Sequence, residues 1–183
     1  MILRGVALAV ALSTAAWGTA LSQNEIRGLT EDRALLKGTL TVVVFLSAKC
    51  PVSNAYGDRL QRIYDDFRVR GVRFFFVNSN QNEDAAEIDR NAAEHHFTFS
   101  IFRDSGSLAA DQFGAQSTPE VFVLDREARV VYRGSVDDAQ NPARVHREGL
   151  RVTLEQVLLG VPVTVTEIKA FGCAIKRPRH VGP

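Results

Sequence analysis

The chain has 183 residues, 45% of them hydrophobic and 23% charged, an ordinary composition for one globular domain with a core of its own. Lys+Arg 22 against Asp+Glu 21 leaves a net charge of +1, which excludes the broad basic footprint of a nucleic-acid binder. Two cysteines exclude a disulfide-rich scaffold and a four-cysteine zinc centre, and leave a site built on one or two particular thiols.

Taken in chain order, the first segment stands apart. Arg4 is the only charge before Glu25, residues 5–16 read GVALAVALSTAA, and the small residues Gly18, Thr19 and Ala20 follow. That pattern predicts a secretory signal peptide over residues 1–20, cleaved after Ala20 or after Ser22. Ser13, Thr14 and Gly18 interrupt an apolar stretch shorter than the ~20 residues a span needs, so membrane contact is expected only if the segment stays uncleaved. No cysteine follows the run, so lipidation there is not expected. The processed chain is neutral and is expected to be secreted or periplasmic, where disulfides persist.

Residues 24–40 are weakly patterned, with a helical turn predicted around Glu31–Leu36 ending at Gly38. Residues 41–47 (TVVVFLS) form a continuous β-branched run, the signature of a strand buried on both faces. From Pro51 to Arg70, apolar Val52, Tyr56, Leu60, Ile63, Tyr64 and Phe67 make a helical stripe stopped by Gly71. Residues 72–77 predict a second buried strand, and residues 83–95 a helix with acids in its first turn. A short extended piece at 97–102 precedes a short helix at 107–113 closed by Gly114. Residues 121–124 and 130–132 predict a hairpin, and residues 144–159 a last helix ended by Gly160 and Pro162. The order β-α-β-α-(short β)-α-β-β-α predicts an α/β domain over residues 24–176, with a parallel centre and an antiparallel hairpin at one side. Residues 177–183 are expected to be a flexible, basic, proline-bearing tail.

Cys50 closes the first buried strand and opens a helix, with Pro51 at the first helical position where a missing N–H costs nothing. Helix N-terminal N–H groups favour thiolate over thiol and raise reactivity near neutral pH. Lys49 adds positive charge if it points inward, and Ser53, one turn on, is placed to donate its hydroxyl to the sulfur. The bland alternative is a buried structural cysteine.

Residues 48–53, Ala-Lys-Cys-Pro-Val-Ser, resemble the active-site turn of the thioredoxin superfamily, with Cys-Pro-Val-Ser in place of Cys-x-x-Cys. Ser117-Thr118-Pro119 before the strand at 121–124 resembles that superfamily's Thr-cis-Pro loop, which faces the active-site cysteine; a trans Pro opening a strand is the alternative. The chain is more specifically similar to the peroxiredoxin-like branch of the alkyl hydroperoxide reductase/thiol-specific antioxidant (redoxin) superfamily. Val130-Val131-Tyr132-Arg133-Gly134 leading to Asp137-Asp138, the 158–163 stretch and the ending Gly172-Cys173-Ala174-Ile175-Lys176 carry that similarity, which spans about residues 40–176. The resemblance implies a thioredoxin-like fold, a central mixed β-sheet flanked by helices. It also implies thiol–disulfide or peroxide redox chemistry at Cys50 and an antioxidant or oxidoreductase role. Thr118 and Pro119 would shape the face opposite the sulfur, and Pro51 and Ser53 would shape its own turn.

The departures bear on mechanism. Ser47 and Ser117 stand where many relatives carry further cysteines, and the Arg that true peroxiredoxins place near the position of Pro119 is absent, as is a Pro at the Val43 site. The pocket that polarises a peroxide O–O bond is therefore incomplete. Without a cysteine at Ser53, oxidised Cys50 has three fates: a disulfide with Cys173, a mixed disulfide with an external thiol, or a bridge to another chain. Its partners are expected to be a thiol or disulfide protein or a small peroxide, with a non-catalytic thiol- or copper-binding module as the rival reading. His95-His96 lacks metal-ligand spacing, Asp137-Asp138 reads as a solvated loop, and Arg103-Asp104 as a strand-end turn without a role. No phosphate cradle or nucleotide fingerprint occurs, and no cofactor or metal is expected.

Overall fold

All six residues of Thr41–Leu46 (β1) are buried, and their side chains divide between two cores. Val42, Val44 and Leu46 face one cluster and Val43 and Phe45 the other, the period-two alternation of a strand covered on both faces. The structure, a computed structural model, describes residues 21–178. The expected signal segment, residues 1–20, and residues 179–183 of the expected tail lie outside the described residues.

The chain opens with Gln23–Thr30 (α1), started by a Ser22/Glu25 capping box, and a 3-10 turn at Arg33–Leu36. After β1 come Pro51–Ala55 (α2), Gly57–Arg68 (α3), Arg73–Asn78 (β2), Ala85–Glu94 (α4), Ile101–Arg103 (β3) and Leu108–Phe113 (α5). Ser117–Thr118 (β4), Glu120–Leu124 (β5), Val130–Gly134 (β6), Gly149–Leu158 (α6), Glu167–Ile168 (β7) and Cys173–Ala174 (β8) complete it. One sheet has six strands in the order β3-β2-β1-β5-β6-β7, and β4 pairs with β8 in a separate two-stranded ladder. β1, β2 and β3 run parallel, while β5 is antiparallel to both β1 and β6. This is the mixed α/β sheet expected. Leu60, Ile63 and Phe67 of α3 and Leu150 and Leu154 of α6 cover one face. Leu29 of α1, Leu36, and Ala109, Ala110 and Phe113 of α5 cover the other.

Several boundaries differ from the expectation, each for a local reason. The helix expected over 51–70 is two helices, joined at Tyr56 (φ −91°, ψ −6°), whose N–H turns to the Ser53 carbonyl three residues back. α1 was not anticipated, because its start depends on a side-chain cap rather than on an apolar stripe. The last helix begins at Gly149, not at residue 144. Asp138 takes the His146 N–H at 2.9 Å and the Val136 carbonyl takes that of Leu150 at 3.0 Å, so the chain before α6 serves the neighbouring loop. β7 lies so close to β6 that a Cβ on Gly134 (φ +130°) would stand 1.8 Å from the Ile168 carbonyl oxygen. Arg177, expected at the start of a flexible tail, is instead tied by its guanidinium to Asp111 at 2.8 Å and to the Ala115 carbonyl at 2.6 Å.

Candidate active site

β1 ends at Leu46, and the loop of Ser47, Ala48 and Lys49 carries the chain to Cys50, which caps α2. The cap is made by sulfur: the Ser53 N–H donates to Cys50 Sγ at 3.3 Å. As a thiol, Cys50 donates to the Thr118 carbonyl at 3.2 Å. The side chain is almost fully covered, with 1% of its surface exposed. Thr118–Pro119 is a cis peptide bond, as the Thr-Pro loop had suggested.

The loop before Cys50 is held by a residue that sequence reasoning passed over. Glu83 is buried, and its carboxylate accepts from Ser47 Oγ at 2.5 Å, from the Ala48 N–H at 2.7 Å, from the Lys49 N–H at 3.4 Å and from Asn78 Nδ2 at 2.7 Å. A buried carboxylate is tolerated where donors surround it, and here the donors are the loop itself. Asn54 and Asn91 side chains both donate to the Ala48 carbonyl from the other side. Ser53 does not present its hydroxyl to the sulfur: Oγ accepts from the Ser47 N–H at 3.2 Å, and the backbone N–H of Ser53 serves Cys50 instead. Lys49 points away, pairing with Glu87 at 2.8 Å and donating to the Asn82 carbonyl. Pro51 takes the first position of α2.

Cys173 comes to this place from the far end of the chain. β8 runs antiparallel to β4, with Cys173 opposite Thr118 and Ala174 opposite Ser117. This pairing brings the Cys173 side chain beside Cys50, and each thiol shifts the titration of the other. Burial alone would push the Cys50 thiol up, but hydrogen bonds from the Cys173 thiol, the Ser53 N–H and Thr118 outweigh it and leave the pKa below the ordinary cysteine value. Cys173 is pushed up to about 11, first by burial and then by its hydrogen bond to Cys50 and that sulfur's charge, while the Val52 N–H works in the opposite direction. The two thiols are therefore unequal, Cys50 lowered and Cys173 raised.

The remaining candidates sort differently. His95 stacks on Phe97, with ring centroids 5.5 Å apart, and no group of three or more His, Cys, Asp or Glu side chains among the described residues could hold a metal ion. Asp137 is not a solvated loop residue. It is buried, accepts from Tyr56 Oη at 2.7 Å and from Arg59 Nη1 at 2.6 Å, and the Arg59 guanidinium lies 3.8 Å from the centre of the Tyr56 ring. Burial and the Asp137 carboxylate hold the Tyr56 hydroxyl well above the usual tyrosine range. Asp104 also has a role: it accepts from the Ala109 and Ala110 N–H groups at the start of α5 and from Ser79 Oγ. Arg59 and Glu83 gave no signal as members of a site, because by residue type each resembles any surface polar residue, and Tyr56 read only as part of the apolar stripe of its helix.

The turn at Cys50 and the cis-Pro loop facing it lie in a chain that is similar to known proteins. The model of the AhpC/TSA family matches residues 19–133, more than half of the sequence. The chain belongs to the AhpC/TSA family. It is 21% identical over 107 residues to the thiol-disulfide oxidoreductase ResA of Halalkalibacterium halodurans, a match covering 58% of this chain and spanning 60% of that relative's length. The crystal structure of an uncharacterized conserved protein from Geobacillus kaustophilus superposes with a TM-score of 0.73 and 27% identity, over 82% of each chain. The solution structure of a thioredoxin-like protein in its oxidised form superposes with a TM-score of 0.57 and 22% identity, covering 70% of this chain and 84% of the other, and shows the shared fold. The protein is thus a thioredoxin-fold redoxin of the AhpC/TSA family. The family match ends at Arg133, and Cys173 lies beyond it.

Proposed function

We propose that the protein is an exported thiol–disulfide oxidoreductase in which Cys50 is the nucleophile and Cys173 the resolving thiol. The observation that carries this reading is the β4–β8 ladder, which sets Cys173 opposite Thr118, the residue whose carbonyl accepts from the Cys50 thiol at 3.2 Å. The Cys50 thiolate attacks one sulfur of a partner disulfide, forming a mixed disulfide and releasing the other sulfur as a thiolate that takes up a proton. Cys173, having lost its proton, then attacks the Cys50 sulfur. A Cys50–Cys173 disulfide forms and the second partner thiol leaves, so two electrons pass from the pair to the partner. Capping Cys50 removes its negative charge, one of the causes that hold the Cys173 pKa up, and so eases deprotonation of Cys173 at the step that needs it, while burial, the larger cause, remains. Thr118 and Pro119 form the wall across from the sulfur, and Ser53 and Pro51 shape the turn beneath it.

The AhpC/TSA family match supports a second oxidant, a small hydroperoxide. Cys50 thiolate would take the distal oxygen, giving a sulfenic acid and, after protonation, an alcohol or water; Cys173 would then condense with it to a disulfide and water. No guanidinium is among the groups bonded to the Cys50 sulfur, which favours disulfide exchange as the main activity.

Thiol counting decides the pairing: two titratable thiols after reduction, none after mild oxidation of monomeric protein, and a cross-linked peptide containing Cys50 and Cys173. Two free thiols persisting in the oxidised monomer would rule Cys173 out as the partner. Stopped-flow mixing with hydroperoxide separates the two oxidants, since a rate no better than free cysteine discards the peroxidase reading.

A further inference from the structure

The two-residue strand β4 stands outside the six-stranded sheet, and its partner is the chain's own C-terminal segment. That segment is fastened along its length. Phe171 packs on Tyr56, with ring centroids 6.0 Å apart, and the Ile175 N–H extends the ladder to the Gln116 carbonyl at 2.9 Å. The Lys176 N–H reaches Asn80 Oδ1 at 3.0 Å, its carbonyl accepts from the Gln81 N–H at 2.8 Å, and Arg177 is tied to Asp111 and to the Ala115 carbonyl. Gly172 (φ +148°) lets the backbone press against β4, where a Cβ would come within 2.0 Å of the Thr118 carbonyl oxygen.

Residues 171–177 are thus an extended segment laid antiparallel on the strand β4, whose Thr118 carbonyl accepts from the Cys50 thiol, and they set Cys173 opposite Thr118. This is the way an exposed edge takes up a foreign peptide, with main-chain hydrogen bonds giving affinity and one side chain giving specificity. We propose that the segment is a built-in occupant of a peptide-docking edge. The macromolecular partner is an extended polypeptide stretch carrying a cysteine in a disulfide; it replaces residues 171–177 on β4 by strand exchange, and the return of the segment to β4 then brings Cys173 back to resolve the mixed disulfide. While the segment is docked, Cys50 is almost fully covered, and only a small disulfide reaches it without displacing the segment. The inference rests on the reading of Cys50 as the nucleophile and adds which partner it takes and what regulates access.

The test compares three full-length proteins: Cys173→Ser, and the same chain with Gly172→Val or with Arg177→Ala. Cys173→Ser leaves Cys50 as the sole thiol. Gly172→Val places a side chain where the Thr118 carbonyl stands, and Arg177→Ala loosens the far anchor without touching β4. Each is mixed with a thionitrobenzoate-activated cysteine peptide of extended sequence and, separately, with the small disulfide dithiobis(nitrobenzoate), and release of the coloured thiolate is followed. Releasing the segment is expected to speed the peptide reaction by about tenfold or more, as for a site reached through local opening, while the small disulfide reacts at a similar rate in all three. Equal peptide rates in all three proteins, each with a cooperative thermal transition, overturn the inference and leave the proposed function standing. Failure of Cys50 to react with the small disulfide overturns the proposed function, and the inference with it.

Discussion

At the scale of single residues, the reactivity of Cys50 depends on donors. The thiolate is stabilised against burial by hydrogen bonds from Cys173, Ser53 and Thr118, so its alkylation rate should persist below the ordinary cysteine pKa and fall only as pH drops through the lowered value. A serine at Cys173 keeps an O–H donor and an alanine does not. Cys173→Ser should therefore leave the midpoint of the alkylation pH profile low, and Cys173→Ala should move it up; equal midpoints would remove Cys173 as a donor. Glu83 is the second residue-scale determinant. Its oxygens accept from four donors, three of them from Ser47, Ala48 and Lys49. Glu83→Leu leaves the buried Ser47 hydroxyl and Asn78 amide without that acceptor, at about 1–3 kcal/mol for each unsatisfied group. A fall of several degrees in Tm, together with slower alkylation of Cys50 in the protein that stays folded, is the expected outcome.

At the scale of elements, the turn from α2 to α3 is locked to the loop after β6. Tyr56 and Arg59 both bind Asp137, and Arg59 also donates to the Ala139 and Gln140 carbonyls. Arg59 and Asp137 are 14% and 6% exposed at their side chains, so this pair is screened little by water. Asp137→Ala would leave the guanidinium covered and uncompensated, at about 3–5 kcal/mol, whereas Tyr56→Phe removes one hydrogen bond, at about 1 kcal/mol. Urea unfolding of the two variants checks the ranking. A smaller effect for Asp137→Ala than for Tyr56→Phe would mean that the charge finds water.

At the scale of the whole molecule, the two thiols lie 123 positions apart in sequence and are joined through the β4–β8 ladder. Closing a loop of that length should raise stability by about 4–5 kcal/mol on chain-entropy grounds, if the bond forms without strain. The denaturation midpoint of oxidised protein should then exceed that of reduced protein, and Cys173→Ser should abolish the difference. The N-terminus carries a further prediction. Leu21 packs against the core cluster beneath α1, and Ser22 supplies the capping box of that helix. Processing after Ala20 keeps both, and processing after Ser22 would cost the cap about 1 kcal/mol. Under the export proposed above, N-terminal sequencing of the processed protein should therefore begin at Leu21.

By itself, the sequence determined the mixed sheet and the strand-to-helix turn at Cys50, written in short-range chemistry: the uninterrupted β-branched run of β1 and the Cys-Pro start of α2. At Thr118–Pro119 it carried a resemblance to a cis-Pro loop, and the structure decided the isomer. Residue type and spacing carry such signals because they act over a few neighbouring positions. Only the tertiary structure decided that Cys173 reaches Cys50. A ladder of two residues has no period to read, and its partner lies more than fifty positions away along the chain. The same holds for Glu83 and Asp137. An acidic side chain in a polar stretch looks alike in water and in a core, and it becomes a structural anion only when folding surrounds it with donors. Long-range pairing and burial are properties of the packed chain, and they decided which two sulfurs, and which carboxylates, make the site.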